Sequence, residues 1–243
     1  MAADFPPIPI RTPHERQVDI CLSALLVLQG FTLFVAIPLG AGSPEGRALL
    51  DICHLAFAII CIGVLTRHRG AQTALFAALV VFVGGPLLGS RLRTDLNLDP
   101  ALQHELIAFV AFAFNTGVTV LVARHVFAPG KVTVHRVRGA ILLYLNVAAL
   151  FAIAYGAIAM NIPGAFAWSA GPPPAGGGLS NAAFSYFSLS TITTTGYGDI
   201  LPVHALARSL ANLESVFGQL YPATLLTRLV TLHLTHEQGD SAH

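Results

Sequence analysis

The chain has 243 residues, of which 54% are hydrophobic and only 10% are charged, and its formal net charge is +1. A soluble domain usually carries about 25% charged residues, so this chain lacks the polar surface that an ordinary soluble enzyme needs. The small net charge also excludes the basic surface of a nucleic-acid-binding protein. Between Gly139 and Gly198 there is no Asp, Glu, Lys or Arg, and such a stretch is typical of an integral membrane protein.

The polar, proline-containing residues 1–16 precede a series of long apolar segments. A helix that crosses a membrane needs about 20 apolar residues. Six segments approach this length and predict six transmembrane helices: 20–39, 49–66, 70–90, 106–123, 140–162 and 203–234. Most of the Lys and Arg residues that flank these segments fall on the side of the N-terminus. Because such residues favour the inner side of a membrane, both termini are predicted to be cytoplasmic.

Four titratable residues fall near the predicted outer ends of the second and fourth helices: Asp51, His54, His104 and Glu105. Asp51 and His54 are one helical turn apart, a spacing that permits joint binding of a metal or joint sensing of protons. Packed or interfacial side chains are the simpler interpretation. Haem binding by His54 and His104 is a further alternative, although the sequence shows no axial pairing.

Residues 163–202 separate the fifth predicted helix from the sixth. The first part, 163–178, is rich in Pro and Gly and is predicted to be a flexible turret that is exposed outside the membrane. Ser180 is a favourable helix N-cap for the apolar run that follows, residues 181–192. This run is too short to span, so we expect a re-entrant helix that enters and leaves the membrane on the outer side.

The re-entrant helix runs into Thr193-Thr194-Thr195-Gly196-Tyr197-Gly198-Asp199. This segment, 193–199, is called the filter segment below. It resembles the selectivity filter of the potassium channel family, in which Thr-Val-Gly-Tyr-Gly is followed by Asp. Only glycine adopts left-handed dihedrals without cost, and Gly196 and Gly198 meet this need. The resemblance covers about residues 136–234.

The resemblance implies that backbone carbonyls of the filter segment replace the hydration shell of a potassium ion. The oxygen atoms would come from the main chain of Thr194, Thr195, Gly196 and Tyr197, with Gly198 completing the segment and the Thr194 hydroxyl adding a ligand. One chain supplies one quarter of each ring of oxygens. Function would therefore require a homotetramer.

The chain departs from the family pattern around the filter segment. Thr195 replaces the usual Val, and its hydroxyl needs a partner behind the filter. The aromatic pair of the re-entrant helix is Tyr186 and Phe187. Phe187 cannot donate a hydrogen bond to the filter tyrosine, whereas Tyr186 is expected to donate one to Asp199. Ser190 stands where some members have Glu, so the resemblance implies that Tyr186, Ser190 and Asp199 support the filter.

The last predicted helix resembles the inner helix of the family. Gly218 and Pro222 would form the bending point of an intracellular gate, because proline removes a backbone donor. The alternative is that Gly218 only allows close helix packing.

Glu214 is a carboxyl group inside a predicted transmembrane helix, where such groups are costly and usually functional. We expect it to point behind the filter towards the hydroxyl groups of Ser190 or Thr195, in a neutral form. Gln219 and Ala223 would then line the axis. In the alternative, Glu214 faces the cavity and attracts cations.

These observations predict an all-α integral membrane protein with six transmembrane helices, a re-entrant pore helix and filter, and a tetrameric pore. The predicted parts are a cytoplasmic N-terminus, a four-helix membrane module, a pore domain and a short cytoplasmic tail: residues 1–16, 17–132, 133–234 and 235–243. The four-helix module resembles a voltage sensor only in its number of helices. Its last helix has no Arg before Arg124, so strong voltage gating is not expected.

The predicted function is passive, potassium-selective conduction across the plasma membrane, with no enzymatic activity and no cofactor other than permeant potassium ions. The expected partners are membrane lipid and three further copies of the chain. No nucleic-acid partner is expected. An unidentified regulator would act on residues 17–132. The alternatives are a membrane module that senses a ligand, lipid or pH and has a channel as its output, or a subunit of a potassium transporter.

Overall fold

The computed structural model describes residues 13–61, 100–127, 134–169, 171 and 178–240. The described residues form helices and one pair of short strands, in this order: α1 Pro13–Phe31, a π-helical turn Thr32–Ala36, α2 Ile37–Gly42, α3 Pro44–Ile60, α4 Pro100–Val126, α5 Val134–Asn161, β1 Phe166–Trp168, α6 Gly178–Ile192, β2 Ile200–Pro202 and α7 Ala205–Asp240. The third predicted transmembrane helix, 70–90, lies outside the described residues.

The first helix continues through a π-helical turn and then reverses direction. The Thr32 hydroxyl donates to the carbonyl of Leu28 at 2.7 Å, and the Ile37 N–H donates to the carbonyl of Thr32. Ser43 has an extended backbone, and its side chain accepts the N–H of Gly46 at 3.0 Å. This N-cap satisfies one of the free backbone donors of α3, so the chain can begin a new helix directly after α2.

A first apolar cluster connects the helices of the first half to those of the second half. Its buried residues come from α1, α3 and the residue after it, α4, α5 and α7: Leu22, Leu25, Phe57, Ala58, Cys61, Phe114, Val118, Val122, Val126, Ala140, Leu142, Leu143 and Tyr221. A Cβ atom at Gly139 would lie 2.9 Å from Val126 Cγ2 and 3.6 Å from Leu22 Cδ1. The glycine therefore allows α1, α4 and α5 to meet closely, and helices of the predicted four-helix module pack against helices of the predicted pore domain.

A second cluster surrounds the pair of short strands. Its buried residues come from α5, α6, α7, the strands and the residue before β1: Tyr155, Ala165, Phe166, Phe184, Phe187, Ile200, Ala207 and Ala211. The Phe166 and Phe184 ring centroids are 4.9 Å apart, and the Phe187 ring meets Tyr155 edge-on at 4.9 Å. Aromatic pairs at such distances add to the stabilisation that burial alone provides.

The strands differ from two predictions in part: the fold is mostly but not purely helical, and residues 166–168 of the predicted turret, 163–178, form a strand. β1 pairs with β2 antiparallel, with Phe166 opposite Pro202 and Trp168 opposite Ile200. The strand β1 lies inside the predicted turret, and Phe166 is buried. The composition of the segment concealed this strand, because Pro and Gly dominate the segment while one aromatic residue provides the burial.

Two helices of the described residues are long and apolar enough to cross a membrane by length and composition: Ile20–Gly40 and Arg136–Asn161. Two further apolar helical segments, Ala48–Ile60 and Phe109–Arg124, are shorter. α7 covers the sixth predicted span but includes Arg208, Glu214 and Arg228. The described part of the chain is thus mostly helical, and six membrane crossings stay a prediction.

Candidate functional site

The filter segment leaves the end of α6 with three left-handed residues. Gly196 has a φ of 59° and Gly198 a φ of 79°. Both glycines therefore have the backbone conformation that the sequence predicts for them. Thr194 has a φ of 57°, although it carries a β-branched side chain. Left-handed dihedrals cost a residue of this kind about 1–3 kcal/mol, so neighbouring groups must hold Thr194 in place.

The start of the filter segment folds back onto α6. The N–H groups of Thr195 and Gly196 donate to the carbonyl of Ser190 at 2.9 and 3.1 Å. Ser190 thus contacts the segment through its main chain, while its side chain is buried. The Thr195 hydroxyl lies 2.8 Å from the hydroxyl of Thr193. Thr193 thus provides the hydrogen-bond partner that the Thr195 hydroxyl needs, and the sequence analysis did not identify it.

The carbonyl groups of the filter segment are available. Within the described part of the chain, no hydrogen bond reaches the carbonyl oxygens of residues 194–198. The same residues are exposed. Backbone carbonyls are strong acceptors that normally find a donor, so a row of free oxygens can bind a cation or water. The chemistry that this arrangement supports is coordination by main-chain oxygen.

The end of the filter segment at Tyr197 and Asp199 contacts α6 and the residue that follows β1. The Tyr197 ring stacks on Tyr186, with centroids 5.8 Å apart and planes inclined by 10°. Tyr186 also lies near the Asp199 side chain, and the hydrogen bond between them stays a prediction. The carboxylate of Asp199 accepts the N–H of Ile200 at 3.1 Å, and its carbonyl accepts the N–H of Ser169 at 2.9 Å.

Gly218 lies directly against the end of α6. A Cβ atom at this position would come within 1.8 Å of the carbonyl oxygen of Ile192. The same carbonyl accepts the Tyr144 hydroxyl at 2.8 Å. This contact favours the packing alternative for Gly218. The α-helix α7 continues through Pro222, and bending at these two residues stays a prediction.

Tyr221 connects α7 to α5 beside the site, and the sequence analysis did not identify it. Its hydroxyl donates to the carbonyl of Ala140 at 2.9 Å. Its ring stacks on Tyr144 and Phe217, with centroid distances of 5.9 and 5.2 Å. Glu214, Gly218 and Tyr221 are spaced so that they lie on one face of α7. This periodicity is the signal from which the sequence could have identified Tyr221.

Glu214 is fully buried, and its partners differ from the predicted ones. The Tyr155 hydroxyl donates to Oε2 at 2.6 Å, and Ser188 Oγ lies 2.5 Å from Oε1. The predicted contact with Ser190 or Thr195 is wrong, and so is the alternative in which Glu214 faces a cavity. Side chains two positions apart in an α-helix are rotated by about 200° about its axis, so Ser188 and Ser190 face different neighbours.

Gln219 contacts the first residue of the predicted ion sites. Its Nε2 donates to the hydroxyl of Thr194 at 3.0 Å. The Thr194 hydroxyl also donates to the carbonyl of Thr193 at 2.7 Å. The sequence placed Gln219 on the axis by helical spacing but did not include it among the site residues. The contact stabilises Thr194 in its left-handed conformation.

The four titratable residues of the first half are only partly described. The Asp51 side chain is exposed and the His54 side chain is half-buried, both on α3. The side chains of His104 and Glu105 lie outside the described residues. Among the side chains that are described, no group of three His, Cys, Asp or Glu residues is placed to hold a metal ion. A joint site therefore stays a prediction.

A family model for an ion channel matches residues 176–233, less than half of the chain, from just before α6 to the later part of α7. Neither the curated proteins nor the solved structures that were compared include a match. The matched residues contain the filter segment and most of the contacts described above. This part of the chain is therefore similar to an ion channel domain, which supports a location in a membrane.

Proposed function

We propose that four copies of the chain form a potassium-selective channel that conducts ions passively through the filter segment. The observation that carries the proposal is that the carbonyl oxygens of the exposed residues 194–198 accept no hydrogen bond within the described part of the chain. Gly196 and Gly198 have left-handed dihedrals within this segment. Carbonyl oxygens can replace the water shell of a dehydrated cation when several chains surround one axis.

The surface of the single chain supports an assembly. Tyr197 has 69% of its surface exposed although it lies in the filter segment. α7 carries a series of exposed apolar side chains: Leu206, Leu213, Val216, Leu220 and Leu226. Exposed apolar surface of this extent is typical of contacts with other subunits or with lipid. Closed symmetry with four copies would bring the filter segments to one axis.

Regulation would reach the pore through the first apolar cluster. Tyr221 of α7 belongs to the same cluster as Leu22 and Leu25 of α1 and Val122 of α4. A ligand or lipid that displaces α1 or α4 would therefore change the surroundings of α7. Voltage is not the expected stimulus, because Arg124 is the first Arg of α4 and stands near its end. The proposed location is the plasma membrane, with several crossings and cytoplasmic termini.

The test uses the full chain, purified and reconstituted in liposomes with opposing gradients of potassium and sodium. We expect a tetramer by light scattering, and potassium flux with little sodium flux. Gly196→Ala should abolish selective flux, because alanine at a φ of 59° is strained and shifts the carbonyl row. Gly164→Ala is the matched control, since Gly164 has a φ of 78° outside the filter segment and open space around it.

Two results would contradict the proposal. One is a purified protein that is monomeric in detergent and in lipid. The other is equal permeation of sodium and potassium by the reconstituted wild-type chain, because a filter built from carbonyl oxygens discriminates between these ions.

A further inference from the structure

Glu214 takes part in a chain of three short oxygen contacts between helices. Tyr155 of α5 donates to Oε2 at 2.6 Å, and Ser188 of α6 lies 2.5 Å from Oε1. Ser188 Oγ also lies 2.6 Å from the main-chain carbonyl oxygen of Ala148 on α5. One carboxyl group of α7 thus connects to α5 and α6 at the same time.

The number of hydrogens in these contacts is limited. A serine hydroxyl carries one hydrogen, and a carbonyl oxygen carries none. Ser188 can therefore donate to Ala148 or to Glu214 but not to both. If it donates to Ala148, the contact with Oε1 is a hydrogen bond only when the hydrogen belongs to Glu214. An ionised Glu214 would leave one of these close oxygen pairs with no hydrogen between its members.

Within the described part of the chain, no positively charged group lies beside Glu214. Its two described hydrogen-bond partners, Ser188 and Tyr155, are neutral hydroxyl groups. Tyr144 of α5 is the other titratable group that the described structure places near it. Glu214 itself is 0% exposed. A buried carboxylate without a cationic partner is strongly disfavoured compared with the neutral acid.

We propose that Glu214 is protonated on Oε1 and donates this hydrogen to Ser188, so that a neutral carboxylic acid joins α5, α6 and α7. Ser188 then donates to Ala148, and Tyr155 donates to Oε2. Every close oxygen pair of the chain contains one hydrogen in this arrangement. Glu214 is thus a positioning residue, which holds the helix that carries the filter segment against α7.

The consequence for conduction rests on the proposed channel function. Glu214 lies one helical turn before Gly218, where α7 meets the carbonyl of Ile192. The acid and the glycine therefore fix two successive points of α6 on one face of α7. Loss of the acid would allow the end of α6, and with it the filter segment, to move.

Infrared spectroscopy tests the protonation directly on the full chain in liposomes at neutral pH. With glutamate labelled by ¹³C in the carboxyl group, we expect the C=O stretch of a neutral acid that disappears in Glu214→Gln. Ser188→Ala should shift this band, because the acid loses its acceptor. Ser185→Ala should not shift it, since Ser185 is a buried serine of the same helix that has no described contact with Glu214. A wild-type spectrum with only the carboxylate stretch at Glu214 would overturn the proposal.

Variants test the positioning role. Glu214→Gln retains a donor for Ser188 and an acceptor for Tyr155. Its potassium flux should therefore stay within about twofold of wild type, and its unfolding temperature within a few degrees. Glu214→Leu leaves Ser188 and Tyr155 without this partner, and flux should fall at least about tenfold, or the tetramer should be lost. Equal losses in both variants would overturn the role.

The two proposals can fail separately. The infrared band does not require ion flux, so a neutral Glu214 in a chain that shows no selectivity would contradict only the channel proposal. An ionised Glu214 in a chain that conducts potassium selectively would contradict only the proposal of a neutral Glu214.

Discussion

The carbonyl oxygen of Ile192 lies so close to Gly218 that a Cβ atom there would approach it to 1.8 Å. Ile192 is the last residue of α6, and the filter segment begins directly after it. The oxygen also accepts the hydroxyl of Tyr144, so α5 and α7 both contact the same atom. The position of the filter segment therefore depends on a small residue in one helix and a hydroxyl group in another.

Gly218→Ala should destabilise the tetramer and reduce potassium flux. The added methyl group must displace the end of α6, and overpacking of this kind costs about 1–3 kcal/mol. Thermal unfolding in detergent and single-channel recording in bilayers measure the two effects. Gly30→Ala is the control, because a Cβ atom at Gly30 meets nothing within 4 Å and alanine favours a helix.

The same variant separates the two hypotheses for Gly218. If the glycine only bends α7, the open probability should change while the unfolding temperature stays constant. If it packs against Ile192, both quantities should change. A variant that matches wild type in both would contradict each hypothesis.

Tyr144→Phe should weaken ion selectivity, since it removes the hydroxyl that holds the Ile192 carbonyl at 2.8 Å. The loss of one such hydrogen bond costs about 0.5–1.5 kcal/mol. Tyr221→Phe is the matched control, because it removes a bond of 2.9 Å to the carbonyl of Ala140 on α5, whereas the Tyr144 bond reaches the end of α6. Reversal potentials in mixed potassium and sodium solutions measure the difference. Equal selectivity in the two variants would contradict the prediction.

Gln219→Leu should lower the stability of the filter segment. Gln219 donates to the Thr194 hydroxyl at 3.0 Å, and Thr194 has a φ of 57°. Without this bond, about 1 kcal/mol of support for a strained residue is lost. We expect faster decay of the current during long recordings in bilayers. Thr194→Val should have a similar effect, whereas Thr194→Ser retains the hydroxyl and should remain closer to wild type.

Phe166→Ala should prevent assembly of a stable channel. Phe166 is 6% exposed, and its ring meets those of Tyr155, Phe184 and Phe187. Removal of a buried phenylalanine costs about 3–5 kcal/mol. Leu201→Ala, on the paired strand, is the control because Leu201 is 52% exposed. Size-exclusion chromatography and thermal unfolding compare the two, and equal stability would contradict the prediction.

The sequence predicts local features well, because their causes are local. The short helix before the filter segment appears at Gly178–Ile192, and the dihedrals of Gly196 and Gly198 follow from the absence of a side chain. The proximity of Tyr186 and Asp199 is also local, because α6 runs directly into the filter segment.

The contacts between helices are not predictable in the same way. Glu214 bonds to Ser188 and Tyr155, and the choice of Ser188 over Ser190 depends on how far α6 is rotated about its own axis. No pattern within a single helix fixes that rotation. The strand β1 is a similar case, because three residues become a strand only when β2 lies beside them.

Gly139 has a consequence for homologous chains. Because a methyl group at this position would lie 2.9 Å from the stiff side chain of Val126, any larger residue separates α4 from α5 unless position 126 becomes smaller. Natural sequences that keep this arrangement should therefore vary at the two positions together, with glycine opposite valine or alanine opposite a smaller neighbour. Homologous chains that carry large residues at both positions should pack α4 against α5 in a different way.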